Sequence, residues 1–376
     1  MLEPLFFPLI GFMLIQLLYY LIFFTRLAFY SRSATYAAAT PGVTILVCAW
    51  NERENLEALL PILDQQDYPN YEVILLDDRS DDGSEEFIRE RIALWKNIKY
   101  IRINDHFKHI TPKKYALSVG MKQAQYPITL MTDADCRPSS NRWIRAMVSG
   151  ITVEKDIVLG FSPYFKYPGL LNWFIRCETF YAAVQYLSFS LAGFTYMGVG
   201  RNILYKKSVF FENKGFYRHS KIYGGDDDLF LNEVATRNNT TIAVNPDSYM
   251  YSIPKFTWSA WYRQKRRHLS VSHYYRLRNK LLLGLLSMAH IFIWIIGIAM
   301  LTYGIVMNNV LFLQTLGIIW AVRWLLQGFI LTLINVKLDK TIEWFSFLPM
   351  DFALFLYYFI FGIINITKRK PKTSWN

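Results

Sequence analysis

Charge is the first shortage in this chain. Asp, Glu, Lys and Arg make up 19% of its 376 residues, against about a quarter in a soluble domain. The deficit is local. Residues 4–25 and 281–307 carry no charged side chain, residues 310–336 carry only Arg323, and residues 344–366 carry only Asp351. Each run has the roughly 20 apolar residues that a helix needs to cross a bilayer. A wholly water-soluble protein is excluded, and an integral membrane protein with four candidate spans is expected. Cysteine is scarce too: Cys48, Cys136 and Cys177 are odd in number and far apart, so neither a disulfide framework nor a zinc spacing can be read. Repeats, low-complexity tracts and long linkers are also missing.

The first apolar run also lacks the basic start of a signal peptide, since its only early charge is Glu3, and it is longer than the usual core of about 7–15 residues. An uncleaved anchor is expected, with cleavage near Ala37-Ala38-Ala39 as the alternative. The net charge of +12 gathers at residues 263–267, 276–280 and 368–372. These clusters sit beside the spans, which fits the positive-inside rule and anionic lipid better than nucleic acid. The expected location is the plasma (inner) membrane, multi-pass, with the central region on the cytoplasmic side. Three spans after that region would place residues 368–372 outside, against the rule, unless Pro349 and Asp351 break the last span into a re-entrant segment.

Between the first and second spans the pattern changes. Val43-Thr44-Ile45-Leu46-Val47 is a short β-branched run of the kind buried on both faces of a sheet. Leu56, Leu59, Leu60 and Leu63 then repeat with helical spacing. Further strands are expected at residues 72–76, 127–131 and 156–160. Alternating strands and helices indicate a mainly parallel sheet, whose ligands sit beyond the carboxyl ends of the strands. Three of these ends are polar: Asn51-Glu52, Asp77-Asp78 and Asp133-Ala134-Asp135. Residues 168–196, aromatic with Arg176 and Glu178 as their only charges, fit an interfacial or re-entrant helix better than a span.

Three motifs carry chemistry. Asp133 and Asp135 offer hard oxygen ligands that suit Mg²⁺ or Mn²⁺ shared with substrate phosphates, though Asp is also common in turns. Gly224-Gly225-Asp226-Asp227-Asp228 places three mutually repelling carboxylates after two permissive glycines. One of them suits a general base; an exposed acidic loop is the plainer alternative. In Gln264-Lys265-Arg266-Arg267-His268, Arg can grip phosphate oxygens, although a juxtamembrane basic segment reads the same on charge alone.

In this order the motifs resemble the inverting family-2 glycosyltransferases, particularly their membrane-integral branch of cellulose, hyaluronan, chitin and poly-N-acetylglucosamine synthases and ceramide glucosyltransferases. The resemblance covers about residues 43–270 and the flanking spans. Cys48-Ala49-Trp50-Asn51-Glu52 resembles the family's Pro-Ala-Tyr-Asn-Glu, and Asp77-Asp78-Arg79-Ser80-Asp81-Asp82-Gly83-Ser84 resembles its second motif. Lys113 before Ala116-Leu117 resembles the Lys of Gly-Lys-x-x-Ala-Leu, and Gln264, Arg267 and His268 resemble Gln-x-x-Arg-Trp with His for Trp.

The resemblance implies an α/β GT-A fold with N- and C-terminal transmembrane helices: an anchor (1–33), a glycosyltransferase domain (34–280) and a membrane region (281–376). It further implies a nucleotide-sugar donor, UDP-linked ahead of GDP-linked, held by Ala49, Asn51, Glu52, Asp78, Lys113, Asp133, Gln264, Arg267 and His268. A divalent metal would sit at Asp133 and Asp135, and the base would be Asp226, or Asp227 if the Glu-Asp-x-Asp-Leu motif is shifted by one residue. The acceptor would be a lipid or glycan, with a processive polysaccharide synthase as the alternative. A nucleotidyltransferase would carry a glycine-rich loop after its first strand, where this chain has Ala49-Trp50-Asn51-Glu52. A transporter or non-catalytic subunit would use Arg323 and Asp351 as pathway charges.

Overall fold

The computed structural model describes residues 3–31, 39–105 and 107–367. Arg32, most of the alternative cleavage tract and the basic tail at 368–372 lie outside the described residues. The chain begins with helix α1 (Phe6–Ala28), followed by β1 (Val43–Ala49), α2 (Arg53–Asp64), β2 (Tyr71–Asp77) and β3 (Ile98–Arg102). Next come α3 (Pro112–Gln123), β4 (Ile128–Asp133), β5 (Cys136–Pro138), β6 (Ile157–Gly160), α4 (Leu170–Leu191) and β7 (Ile203–Lys206). Then follow α5 (Asp228–Val234), β8 (Thr240–Ala243), β9 (Met250–Ser252), α6 (Trp258–Val271), α7 (Leu277–Val306), α8 (Val310–Lys337) and α9 (Phe347–Thr367).

The seven-stranded sheet runs β3-β2-β1-β4-β7-β6-β8. Strands β3, β2, β1 and β4 are parallel; β7 runs antiparallel to both β4 and β6; and β6 is parallel to β8. Strands β5 and β9 pair as a separate ribbon. Val43, Ile45, Leu46 and Val47 are wholly buried, as expected for a strand covered on both faces. One face packs on Leu56, Leu59, Leu60 and Leu63 of α2. On the other face a single apolar cluster runs from Leu46 and Ile74 through α4 to Phe24 of α1, Ile334 of α8 and Leu354 of α9. The sheet and the apolar terminal helices therefore share one core.

Helices α1, α7 and α8, and a segment Trp344–Ile364 that includes most of α9, are long and apolar enough to cross a membrane. Helix α4 is buried along most of its length and packs against β8, α1 and α9, rather than presenting a free apolar face. Of the two alternatives for the last span, a break at Pro349 and Asp351 is not seen: α9 is continuous through both. Pro349 falls in the first turn, where a missing N–H removes no helical hydrogen bond, so it does not break the helix.

Candidate active site

The ladder brings three strand ends level. Ala49 pairs with Asp77, and Cys48 with Asp133. Beyond β1, Asn51 takes a φ of 54°, the left-handed conformation that Asn tolerates better than most residues. Its amide Nδ2 donates to Asp81 at 2.7 Å, its Oδ1 accepts from the Asp81 amide at 2.9 Å, and its own N–H donates to Ser80 Oγ at 2.9 Å. Asn51 therefore ties two loops together and does not line the cavity, whereas Ala49, Glu52 and Asp78 do. Asp77 is wholly buried and serves the fold, accepting from Tyr100 Oη at 2.8 Å and Arg102 Nη1 at 3.0 Å. Asp78 borders the cavity and pairs with Arg79 at 2.8 Å.

At the first turn of α3, Lys113 Nζ lies 3.0 Å from Asp133 Oδ1 and 3.1 Å from Asp226 Oδ2. Burial pulls this amine down, but Asp133 and Asp226 outweigh it and hold its pKa well above the ordinary lysine value. For Asp226 the same balance holds with opposite signs: burial pushes the carboxyl up, and Lys113 and Lys114 outweigh it and bring it below the usual carboxylate range. Lys114, wholly buried, donates to the carbonyls of His219 at 2.8 Å and Ile222 at 2.6 Å. It thereby fixes the loop that leads to Asp226.

The three consecutive carboxylates diverge. Asp226 faces Lys113. Asp227 Oδ2 accepts from the Gly200 amide at 2.7 Å, and its Oδ1 caps α5 through the Asp228 amide at 2.8 Å. Burial and the charge of Asp226 push the Asp227 carboxyl up to about 6. Asp228 accepts from Tyr275 Oη at 2.8 Å. Gly225 makes the divergence possible. Its φ is 67°, and a Cβ there would meet Leu229 and Val271 at 2.8 Å.

Helix α6, capped by Thr257, lays Gln264, Arg267 and His268 along the same cavity, while its Lys265 pairs with Glu178 of α4. The cavity measures about 1210 Å³ and also holds Asp133, Asp135 and Asp226. The donor set suits a divalent cation. Burial, and then the adjacent charge of Asp133, raise the pKa of Asp135, a repulsion that a cation would relieve. Among the described residues no group of three His, Cys, Asp or Glu side chains forms a complete cage, so substrate oxygens would have to complete the coordination.

Residues 44–212 match the family described as Glycosyl transferase family 2. The chain carries a family 2 glycosyl transferase domain. The matched stretch includes Asp78, Lys113, Asp133 and Asp135 and stops before Asp226 and α6. Glycosyltransferase AglE of Haloferax volcanii is 30% identical over 130 residues, covering 34% of this chain and 41% of that protein. Poly-beta-1,6-N-acetyl-D-glucosamine synthase of Staphylococcus epidermidis is 30% identical over 99 residues, covering 25% of this chain and 22% of the synthase. The chain thus spans less than half the length of these curated relatives. Mannosyltransferase PcManGT from Pyrobaculum calidifontis, solved in complex with GDP-Man and Mn²⁺, superposes with a TM-score of 0.61 at 20% identity, covering 91% of this chain and all of that one. The fold of the transferase domain is GT-A-like.

Two groups at the centre of this domain carried no motif. Arg201, just before β7, donates from Nε to Ser162 Oγ at 2.6 Å and borders the cavity near Asp135. Lys114 stands beside a motif lysine but points the other way. Arg201 follows Gly198-Val199-Gly200, and that glycine pair was the one local signal available.

Proposed function

We propose that this protein transfers a sugar from a nucleotide-sugar donor to a membrane-associated acceptor, by a single in-line displacement with inversion. The convergence of Asp78, Asp133, Asp135 and Asp226 on one cavity at the carboxyl edge of the sheet carries this reading. Asp78 and Glu52 would meet the nucleoside. Asp133 and Asp135 would hold Mg²⁺ or Mn²⁺, which when bound would neutralise charge on the diphosphate leaving group. Arg267 and Gln264 would meet the phosphate oxygens from the opposite wall, with His268 beside them. Asp226 would take the proton of the accepting hydroxyl, held in place by Lys113, whose charge also offsets that of Asp133. Asp227 has both oxygens on backbone amides, which supports Asp226 as the base.

The test is a donor screen with purified full-length protein, using UDP- and GDP-sugars with Mg²⁺, with Mn²⁺ or with EDTA. At least one nucleotide sugar should bind and turn over with metal and lose turnover with EDTA, UDP-sugars being expected first. Undiminished turnover in EDTA would remove the metal from Asp133 and Asp135. No binding by any donor would remove the transferase reading. The domain would face the cytoplasm, where nucleotide sugars are found, a reading supported by the basic residues 276–280 at the start of α7 and the positive-inside rule. With four spans the C-terminus then lies outside, so a C-terminal reporter active only in the cytoplasm should stay silent.

A further inference from the structure

The cavity does not end at the carboxylates. It continues into the membrane region along one face of each of three helices. On α7 it touches Lys280, Leu283, Gly284, Ser287, Met288 and Ile291; on α9, Leu354, Tyr357, Tyr358, Phe361 and Gly362; on α4, Glu178, Ala182 and Gln185. These spacings of three and four keep each set on a single helical face. Gly284 and Ile291 lie four and eleven residues beyond Lys280, roughly 6 and 16 Å deeper at 1.5 Å per residue. On a helix that crosses the bilayer inwards from Lys280, that depth would be hydrocarbon. The trough is also open there: a Cβ added at Gly284 or at Gly362 would meet nothing within 4 Å, and Met288 is 54% exposed. At about 1210 Å³ the cavity exceeds the roughly 300–1,000 Å³ of a single small-molecule site.

We propose that the acceptor is a membrane amphiphile whose apolar chain lies in the trough between α7 and α9 and whose oxygen-bearing head reaches Asp226 from within the bilayer. This rests on the transferase reading of the cleft and adds the acceptor's class and route. An apolar groove open to lipid fills with a chain, because the lining regains dispersion contacts that a void denies it, and Met288 is adaptable enough to follow an irregular tail. The head would run past the Lys265–Glu178 pair that ties α6 to α4, with Arg263 and Arg266 lining the same wall. A polar polymer gains nothing from a sideways opening at hydrocarbon depth.

The experiment uses full-length protein in phosphatidylcholine vesicles containing a long-chain alcohol with a photoreactive group in its chain or, in a second arm, its monophosphate. Crosslinks should fall on the trough faces of α7 and α9 about tenfold more strongly than on the outward face of α8, at Val322, Leu325 and Phe329. Gly284→Trp and Gly362→Trp should abolish that enrichment. Gly317→Trp and Gly328→Trp, equally open sites on α8, should leave it intact and so control for misfolding. Donor binding is measured in the same vesicles. Equal labelling of trough and outward faces, or enrichment that survives both trough substitutions, overturns the proposal even where a donor binds. Enrichment without donor binding upholds the lipid site and sinks the transferase reading instead. The arm with stronger enrichment identifies the head as hydroxyl or phosphate, and transfer of sugar to a water-soluble glycan with no trough labelling also overturns the proposal.

Discussion

Asp227 gives both carboxylate oxygens to backbone amides, those of Gly200 and Asp228, while its neighbour Asp226 keeps its carboxylate on the cavity beside Lys113. One residue of separation thus divides chemistry from architecture. Asp226→Asn should lower transfer by roughly 10²–10⁴-fold, the usual worth of general acid–base catalysis. Donor affinity should survive, because the change removes no phosphate contact. Asp227→Asn offers one acceptor oxygen for two amides, and an orphaned buried donor costs about 1–3 kcal/mol. Its expected signature is a lower thermal midpoint, with transfer retained in the folded fraction. Single-turnover transfer and thermal unfolding, measured on both variants, separate the roles. Loss of transfer in Asp227→Asn at an unchanged midpoint would exchange them.

Helix α3 does its work through two adjacent lysines facing opposite ways: Lys113 into the cleft, and Lys114 onto the His219 and Ile222 carbonyls. Lys114→Met would leave both carbonyls unpaired, at about 1–3 kcal/mol each, and would loosen the approach to Asp226. Burial brings the Lys114 amine from 10.5 down to about 8, so the folded protein releases this proton before the unfolded chain does. Stability rises with pH wherever the unfolded state binds more protons. The stability of the unsubstituted protein relative to Lys114→Met should therefore grow as pH climbs from about 8 towards 10.5. A constant difference across that window would refute the buried-lysine account.

Legibility also follows the elements. Strands β1, β2, β4 and β6 were readable because burial on both faces leaves a run of apolar residues with few polar ones among them. Strand β3 lies at the sheet edge and mixes Lys99 and Arg102 with its apolar residues, β7 includes Tyr205 and Lys206, and β8 begins with Thr240 and Thr241; none is the unbroken apolar run that marks a strand covered on both faces. Arg201 was invisible for the related reason that its partner Ser162 lies 39 residues away. Only the sheet order, with β7 inserted between β4 and β6, brings Arg201 to Asp135. Asn51 shows the opposite failure: its motif position was readable, but the direction of its amide was not.

At the scale of the molecule the four candidate spans meet at one polar node. Asp351 of α9 receives Arg323 of α8 bidentately, at 2.8 and 2.9 Å. Arg323 Nε donates to Gln16 of α1 at 2.8 Å, and Gln16 Nε2 lies 3.0 Å from His290 Nδ1 of α7. Each of these two buried charges is thus answered by the other, and neither is left for a transport pathway. If the node holds the bundle together, Asp351→Leu should destabilise the protein by about 3–5 kcal/mol, because it strands a buried guanidinium. Arg323→Met with Asp351→Leu removes both charges and should cost far less than the two single changes summed. Unfolding of all four proteins in one detergent closes the cycle. Additive losses would mean that the two charges do not depend on each other. A stable Asp351→Leu that binds donor but no longer transfers would move the node from scaffold to mechanism. The scaffold reading predicts neither, since none of Gln16, His290, Arg323 and Asp351 lines the cavity; His290 meets the lining residue Tyr358 with ring centroids 5.9 Å apart, so the node would act on the trough by holding α7 and α9 in place.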